Sequence, residues 1–175
     1  MNTLDAIRAR RSYRGRYLPT PVPREHLSAI MEAGLRAPSG CNKQTTSLIA
    51  VDDPEVLGQL HAVIDPPAAE TAPAMICVLT RPVIAYRDRT FFVQDYAAAI
   101  QNMLLAITDL GYESCWYEGH ITDGDRIGDK MARILGVPEE YQLVCFLPVG
   151  LAAEDVKPPK KLPLESRCCF NRFSL

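Results

Sequence analysis

A single domain in which helices alternate with strands is what this sequence predicts, and three observations carry the prediction. The 175 residues suit one domain with a real hydrophobic interior. Amphipathic stretches of 3.6-residue period alternate with short apolar runs such as AMICVLT and QLVCFLPV. From Asp95 to Leu110 the chain is apolar nearly all round, which sets a helix in the middle of a core or in a large subunit interface.

Each element has its own signal. Thr3 can cap a first helix that carries Leu4 and Ile7, with Arg8, Arg10 and Arg11 near its end. Pro23 suits the first turn of a second helix, on which Leu27, Ile30, Met31, Gly34 and Leu35 follow the helical period. Ala37 to Gly40 ends it and begins a polar loop, and TTSLIAV then reads as a strand. Asp53-Pro54 starts a short helix with Leu57, Leu60 and Ile64 on one face. AMICVLT is a strand buried on both faces, and Gly111 closes the long apolar helix. ESCWYE reads as a short strand, Thr122 as the start of a helix ending at Gly136, and QLVCFLPVG as the last strand before a Lys/Pro-rich tail.

Such alternation by itself suggests a doubly wound α/β fold. Both Gly-rich phosphate loops, G-x-G-x-x-G and G-x-x-x-x-G-K-[ST], are absent, however. Without glycines for close backbone approach, side chains must do more of any phosphate binding.

Composition narrows the class. With 47% hydrophobic and 23% charged residues the chain is an ordinary globular protein. A net charge of −2 argues against nucleic acid, which needs a surplus of Lys and Arg. No apolar run is long enough to span a bilayer, and MNTLDAIRARRS carries charges where a signal peptide has its apolar stretch, so the cytoplasm is expected. Of the six cysteines, Cys77, Cys115 and Cys145 sit in apolar runs as small hydrophobes. Adjacent Cys168 and Cys169 resist pairing, and no C-x-x-C or Cys/His ligand spacing occurs, so free thiols and no metal are expected.

Three constellations carry chemistry. In Arg10-Arg11-Ser12-Tyr13-Arg14, guanidinium groups and a hydroxyl can wrap a phosphate; arginines at a helix C-terminus also simply balance its dipole. In Pro38-Ser39-Gly40-Cys41-Asn42-Lys43-Gln44, amides that donate and accept match the alternating edge of a flavin pyrimidine, or the stretch is a plain turn. In Trp116-Tyr117-Glu118-Gly119-His120, the glycine lets a ligand lie close to backbone N–H groups, while Trp116 and Tyr117 suit a core or interface.

In order and spacing these elements resemble the FMN-dependent nitroreductase family over most of the chain: R-R-S-x-R, A-P-S-x-x-N-x-Q, the helix DYAAAIQNMLLAITDLG, E-G after a short strand, and L-P-V-G before a basic tail. The resemblance implies an α+β fold with a central, mostly antiparallel sheet flanked by helices. It implies one domain over residues 1–175, with 152–175 a tail packing on the partner subunit of an interlocked homodimer. Carried over, Arg10, Arg11, Ser12 and Arg14 hold the FMN phosphate and ribityl chain. Pro38, Ser39, Gly40, Asn42 and Gln44 belong to the loop that lines the ring from the partner subunit. Glu118 and Gly119 lie at its other side, a backbone N–H facing flavin N5, and Lys160 and Lys161 of the tail reach the phosphate.

Three departures stand out. Gln44-Thr45-Thr46 replaces the family's Q-P-W, IDPPAAETAP lacks the basic residue expected near flavin N1, and only RPVIAYRDRTFFVQ remains as a lid, with Tyr86 able to shape the pocket.

The implied activity is an NAD(P)H-dependent FMN oxidoreductase acting on a small nitroaromatic, quinone or enone. The flavin carries the chemistry and no side chain is needed as acid or base. His26 and His61 read as surface or packing residues. Other readings are a non-catalytic flavin carrier or sensor, a relative that attacks the flavin itself, and a thiol or metal protein built on Cys168-Cys169.

Overall fold

The computed structural model describes residues 1–118, 124 and 126–174. Its helices are α1 (Thr3–Ala9), α2 (Arg24–Leu35), α3 (Pro54–His61), α4 (Phe92–Asp109) and α5 (Ile127–Ile134). Its strands are β1 (Thr46–Val51), β2 (Ala74–Thr80), β3 (Ile84–Tyr86), β4 (Arg89–Thr90) and β5 (Gln142–Val149). The main sheet runs β1-β2-β5, and both pairings are antiparallel.

The fold is therefore α+β, and the doubly wound reading drawn from alternation alone is overturned. Hydrophobic periodicity reports which faces are buried; it carries no information on strand direction. β2 is buried along its whole length, as its unbroken apolar run predicts. Its alternate residues build two cores. Ala74, Ile76 and Val78 pack with Leu27 and Ile30 of α2 and with Ile100, Met103 and Ile107 of α4. Met75, Cys77 and Leu79 pack with Leu57 and Leu60 of α3 and Met131 of α5. Each large aliphatic side chain taken fully out of water there contributes ~1.5–3 kcal/mol.

The contact of α2 with α4 is close because Gly34 has no side chain. A Cβ at that position would lie 2.7 Å from Met103 Cγ. Gly34 thus does more than keep the helical period: it brings α2 onto the central helix, and so sets where the following loop begins.

Several boundaries differ from the sequence reading. Asn2, not Thr3, caps α1, its side chain accepting from the Asp5 N–H at 3.0 Å. The long helix begins at Phe92, a turn before Asp95. ESCWYE is no strand: it makes single bridges, Tyr117 to Phe146 of β5 and Glu113 to Gly150 just after it. The helix expected from Thr122 is α5, starting at Ile127; Thr122 itself lies outside the described residues. The possible lid contains a small hairpin, β3–β4. Among the described residues no helix is long and apolar enough to cross a membrane.

Candidate functional site

The first and third constellations meet at one cleft of about 650 Å³, lined among others by Arg14, Glu70, Trp116, Tyr117, Glu118 and Glu154. Arg10 is the C-cap of α1, so the helix ends where the polar run starts. The Tyr13 N–H then donates to the Ser114 carbonyl at 2.8 Å, which ties the N-terminal run to the segment before Glu118. Tyr13 is fully buried, edge-on to Tyr17 at 5.1 Å between ring centroids, and anchors that run from below.

Arg10, Ser12 and Arg14 converge on the buried thiol of Cys115. Burial pushes that thiol up, against the opposing pull of Arg14, a hydrogen bond with Ser12, and Arg10. Cys115 therefore stays protonated and fills space. Arg11 faces elsewhere. Its Nε donates to Glu113 Oε1 at 2.9 Å, and its Nη1 to Asp155 Oδ1 at 3.2 Å and the Val156 carbonyl at 2.7 Å. It fastens the root of the tail to the first constellation. Arg10 and Arg14 have no carboxylate partner among the described residues.

Across the cleft, Glu118 is clamped. Tyr96 Oη donates to its Oε1 at 2.6 Å and Trp116 Nε1 to its Oε2 at 2.7 Å. Burial, then the bond to Glu118, holds the Tyr96 phenol well above its usual range, so it remains a donor. Trp116 thus does more than the packing expected of it: it orients a carboxylate at the cleft edge. Tyr117 stacks on Phe146 at 4.9 Å. Gly119 and His120 lie outside the described residues.

The loop before β2 forms another wall. Where the family's basic residue was missed in the sequence, this wall carries Glu70, and the Thr71 hydroxyl accepts from the Tyr17 N–H at 2.8 Å.

The second constellation lies elsewhere in the chain. Pro38, Ser39 and Gln44 line a separate depression of about 240 Å³, and none of the loop's residues lines the first cleft. Cys41, Asn42 and Gln44 all hold positive φ, 48°, 53° and 49°. Non-glycine residues in that region each cost ~1–3 kcal/mol unless their surroundings impose the conformation. Asp95 imposes it. In the first turn of α4, where the helix dipole favours a carboxylate, it accepts from the Gly40 N–H at 2.8 Å and the Thr45 hydroxyl at 2.7 Å. Ser39 Oγ accepts from the Gln44 N–H at 3.0 Å, and a Cβ at Gly40 would lie 2.8 Å from the Phe91 side chain. The loop is rigid, while Asn42 and Gln44 remain exposed.

Lys160 and Lys161 are exposed on the tail and do not line the cleft of their own chain. Sequence reasoning passed over Asp95 and Tyr96 as the start of an apolar helix. The available signal was a lone carboxylate inside an otherwise apolar run, which needs partners if buried. All six cysteines are free, Cys168 and Cys169 exposed.

Two motifs around one cleft and a third held rigid apart from it, on a helix-flanked antiparallel sheet, define a class that comparison with known proteins identifies. The nitroreductase family model matches residues 7–65 and 59–151, and the chain belongs to that family. A candidate NADH dehydrogenase/NAD(P)H nitroreductase from Methanothermobacter thermautotrophicus is 31% identical over 94% of this chain and 87% of its own. The crystal structure of a nitroreductase with bound FMN from Bacteroides fragilis is similar with a TM-score of 0.78 and 27% identity, over 98% of this chain and 100% of that one. An FMN-dependent nitroreductase from Clostridium difficile gives a TM-score of 0.81 at 25% identity, over 97% and 99%.

Proposed function

We propose that this protein is a cytoplasmic FMN-dependent oxidoreductase that passes hydride from NAD(P)H to a small organic acceptor of the nitroaromatic, quinone or enone class. The observation that carries this reading is Arg14 in the cleft wall with Arg10 and Ser12 gathered beside it around Cys115, neither guanidinium having a carboxylate partner among the described residues. Such donors suit a phosphate dianion, and the cleft volume of about 650 Å³ is that of a cofactor site. FMN supplies the hydride chemistry when bound. Arg10, Ser12 and Arg14 bind its anionic end, while Arg11 keeps the first constellation in place through Glu113 and the tail. Glu118, held by Tyr96 and Trp116, fixes the opposite edge of the cleft, and Gly119 follows it with the backbone N–H assigned to flavin N5.

The working unit is a homodimer in which the partner's Pro38–Gln44 loop completes each site. Two features support it. The loop is held in a fixed conformation by Asp95 but lines no part of the cleft of its own chain. The tail is exposed from residue 157 to 174, Lys160 and Lys161 included, with Phe170 92% and Phe173 83% accessible. Exposed aromatic groups of that size call for a covering surface, and β1, paired on one side only, offers an open sheet edge.

Mixing the purified protein with NADH or NADPH under anaerobic conditions tests the reading. Bleaching of the visible flavin band is expected. A yellow protein that neither nucleotide bleaches would instead be a flavin carrier or sensor, a reading that Glu70 in the cleft wall favours, because a carboxylate opposes the negative charge of reduced flavin.

A further inference from the structure

We infer that the β3–β4 hairpin is the recognition element for the phosphates of the pyridine nucleotide, with Arg87 and Arg89 as its donors. The inference rests on the oxidoreductase reading above. Such an enzyme meets two polyanions, the cofactor and the reductant, and Arg10 and Arg14 serve only the first.

The hairpin reverses through Arg87 and Asp88, both at positive φ of 45° and 60°. A two-residue reversal of this kind favours Asn and Gly. An arginine there is not explained by turn chemistry. The turn sets Tyr86 opposite Arg89, and the Arg87 guanidinium lies over the Tyr86 ring at 5.1 Å from its centroid. A stacked guanidinium keeps its N–H edge open to an anion.

Position supports the same role. One root of the hairpin is tied to Thr45, the residue after the second constellation, and the other packs on the constellation itself. The Arg81 N–H donates to the Thr45 carbonyl at 3.3 Å, and Phe91, just after β4, packs on Gly40. The hairpin is therefore packed on the Pro38–Gln44 loop, and a dimer that brings that loop to the partner's cleft brings the hairpin with it.

Charge completes the case. Lys43, Arg87 and Arg89 are exposed and have no ion pair among the described residues. The nearby carboxylates are Asp88, in the turn itself, and Asp95, which is buried and already bonded to Gly40 and Thr45. On a chain of net charge −2 this rim is a local reversal of sign. Arg81 is not part of it, since its guanidinium lies over Tyr141 at 5.6 Å.

The test is the R87Q/R89Q variant of the FMN-loaded protein, with R87K/R89K as the charge-preserving control. For the Gln variant, KM for NADH and NADPH should rise about tenfold at low salt, and ADP-ribose binding followed by calorimetry should weaken alike, as expected for loss of two exposed charge-assisted contacts. Turnover with dihydronicotinamide riboside, which has no phosphate, should not change, and the Lys variant should recover most of the loss. Equal losses for both nucleotides assign the pyrophosphate; a loss for NADPH alone assigns the 2′-phosphate. Unchanged ADP-ribose binding together with an unchanged KM for NADPH, or an equal loss with the riboside, overturns the inference. Wild-type protein that oxidises neither nucleotide defeats the oxidoreductase reading instead, and ADP-ribose binding still reads the hairpin separately.

Discussion

The cleft and the Pro38–Gln44 loop are two ways of building a binding surface. The cleft is made by long-range ties within one chain: Arg11 to Glu113 and Asp155, Tyr13 to Ser114, Tyr96 and Trp116 to Glu118. These ties occupy Arg11 and Glu118, while Arg10 and Arg14 have no carboxylate partner among the described residues. The loop is made by local strain under one buried anchor, Asp95, and leaves its amides facing outward. One surface is a cleft of about 650 Å³ with Arg14 in its wall; the other borders only a smaller depression of about 240 Å³ and exposes Asn42 and Gln44. The difference teaches that neither is a site by itself, which is the physical content of the dimer proposal.

That comparison can be broken in four places. The largest effect is expected at Asp95→Ala, which strands the buried Gly40 N–H and Thr45 hydroxyl and removes two bonds to a charged group. A loss of ~3 kcal/mol follows, read as a lower melting temperature, with the loop's positive φ values relaxed in a crystal structure. Gly40→Ala forces a Cβ against Phe91 and should cost ~2 kcal/mol. Because the change is confined to the loop, FMN release should rise while an isolated phosphate still protects the cleft from heat.

Arg14→Ala should act on binding and leave folding alone. FMN retention after gel filtration should fall about tenfold, with the melting temperature of the apoprotein unchanged. Equal flavin content in variant and wild type would remove the phosphate assignment. Arg11→Met is the smallest case and the reverse one. A partly exposed ion pair is worth ~1 kcal/mol or less, so a slight drop in melting temperature is expected, with a weaker effect on FMN than Arg14→Ala. Should Arg11→Met prove the more damaging to FMN, the division of roles between the two arginines is wrong.

Much of this was legible in the chain. The buried β2 followed from its unbroken apolar run, the central helix from a sequence apolar on every side, and α3 from Asp53-Pro54, whose carboxylate caps it. Strand direction was not legible, because alternation of elements is the same for parallel and antiparallel order. Nor was the bonding of Asp95 to Gly40 and Thr45 or of Glu118 to Tyr96, since those partners lie far away in sequence. The single bridges made by Glu113 and Tyr117 looked like a strand because burial beside β5 selects the same residues that a strand does.

The sequence by itself determined that β2 is buried on both faces, where α2 and α3 begin and where the helices end, and which side chains are chemically able to hold a phosphate or a flavin edge. These are local properties, set by period, capping and composition. Only the tertiary structure decided that Arg11 is spent on the tail while Arg10 and Arg14 stay free, and that one constellation is kept apart from the other two. Those outcomes depend on which charges meet across more than a hundred residues, and pairing at that distance follows from the packing of the sheet and its helices, not from any stretch of chain read alone.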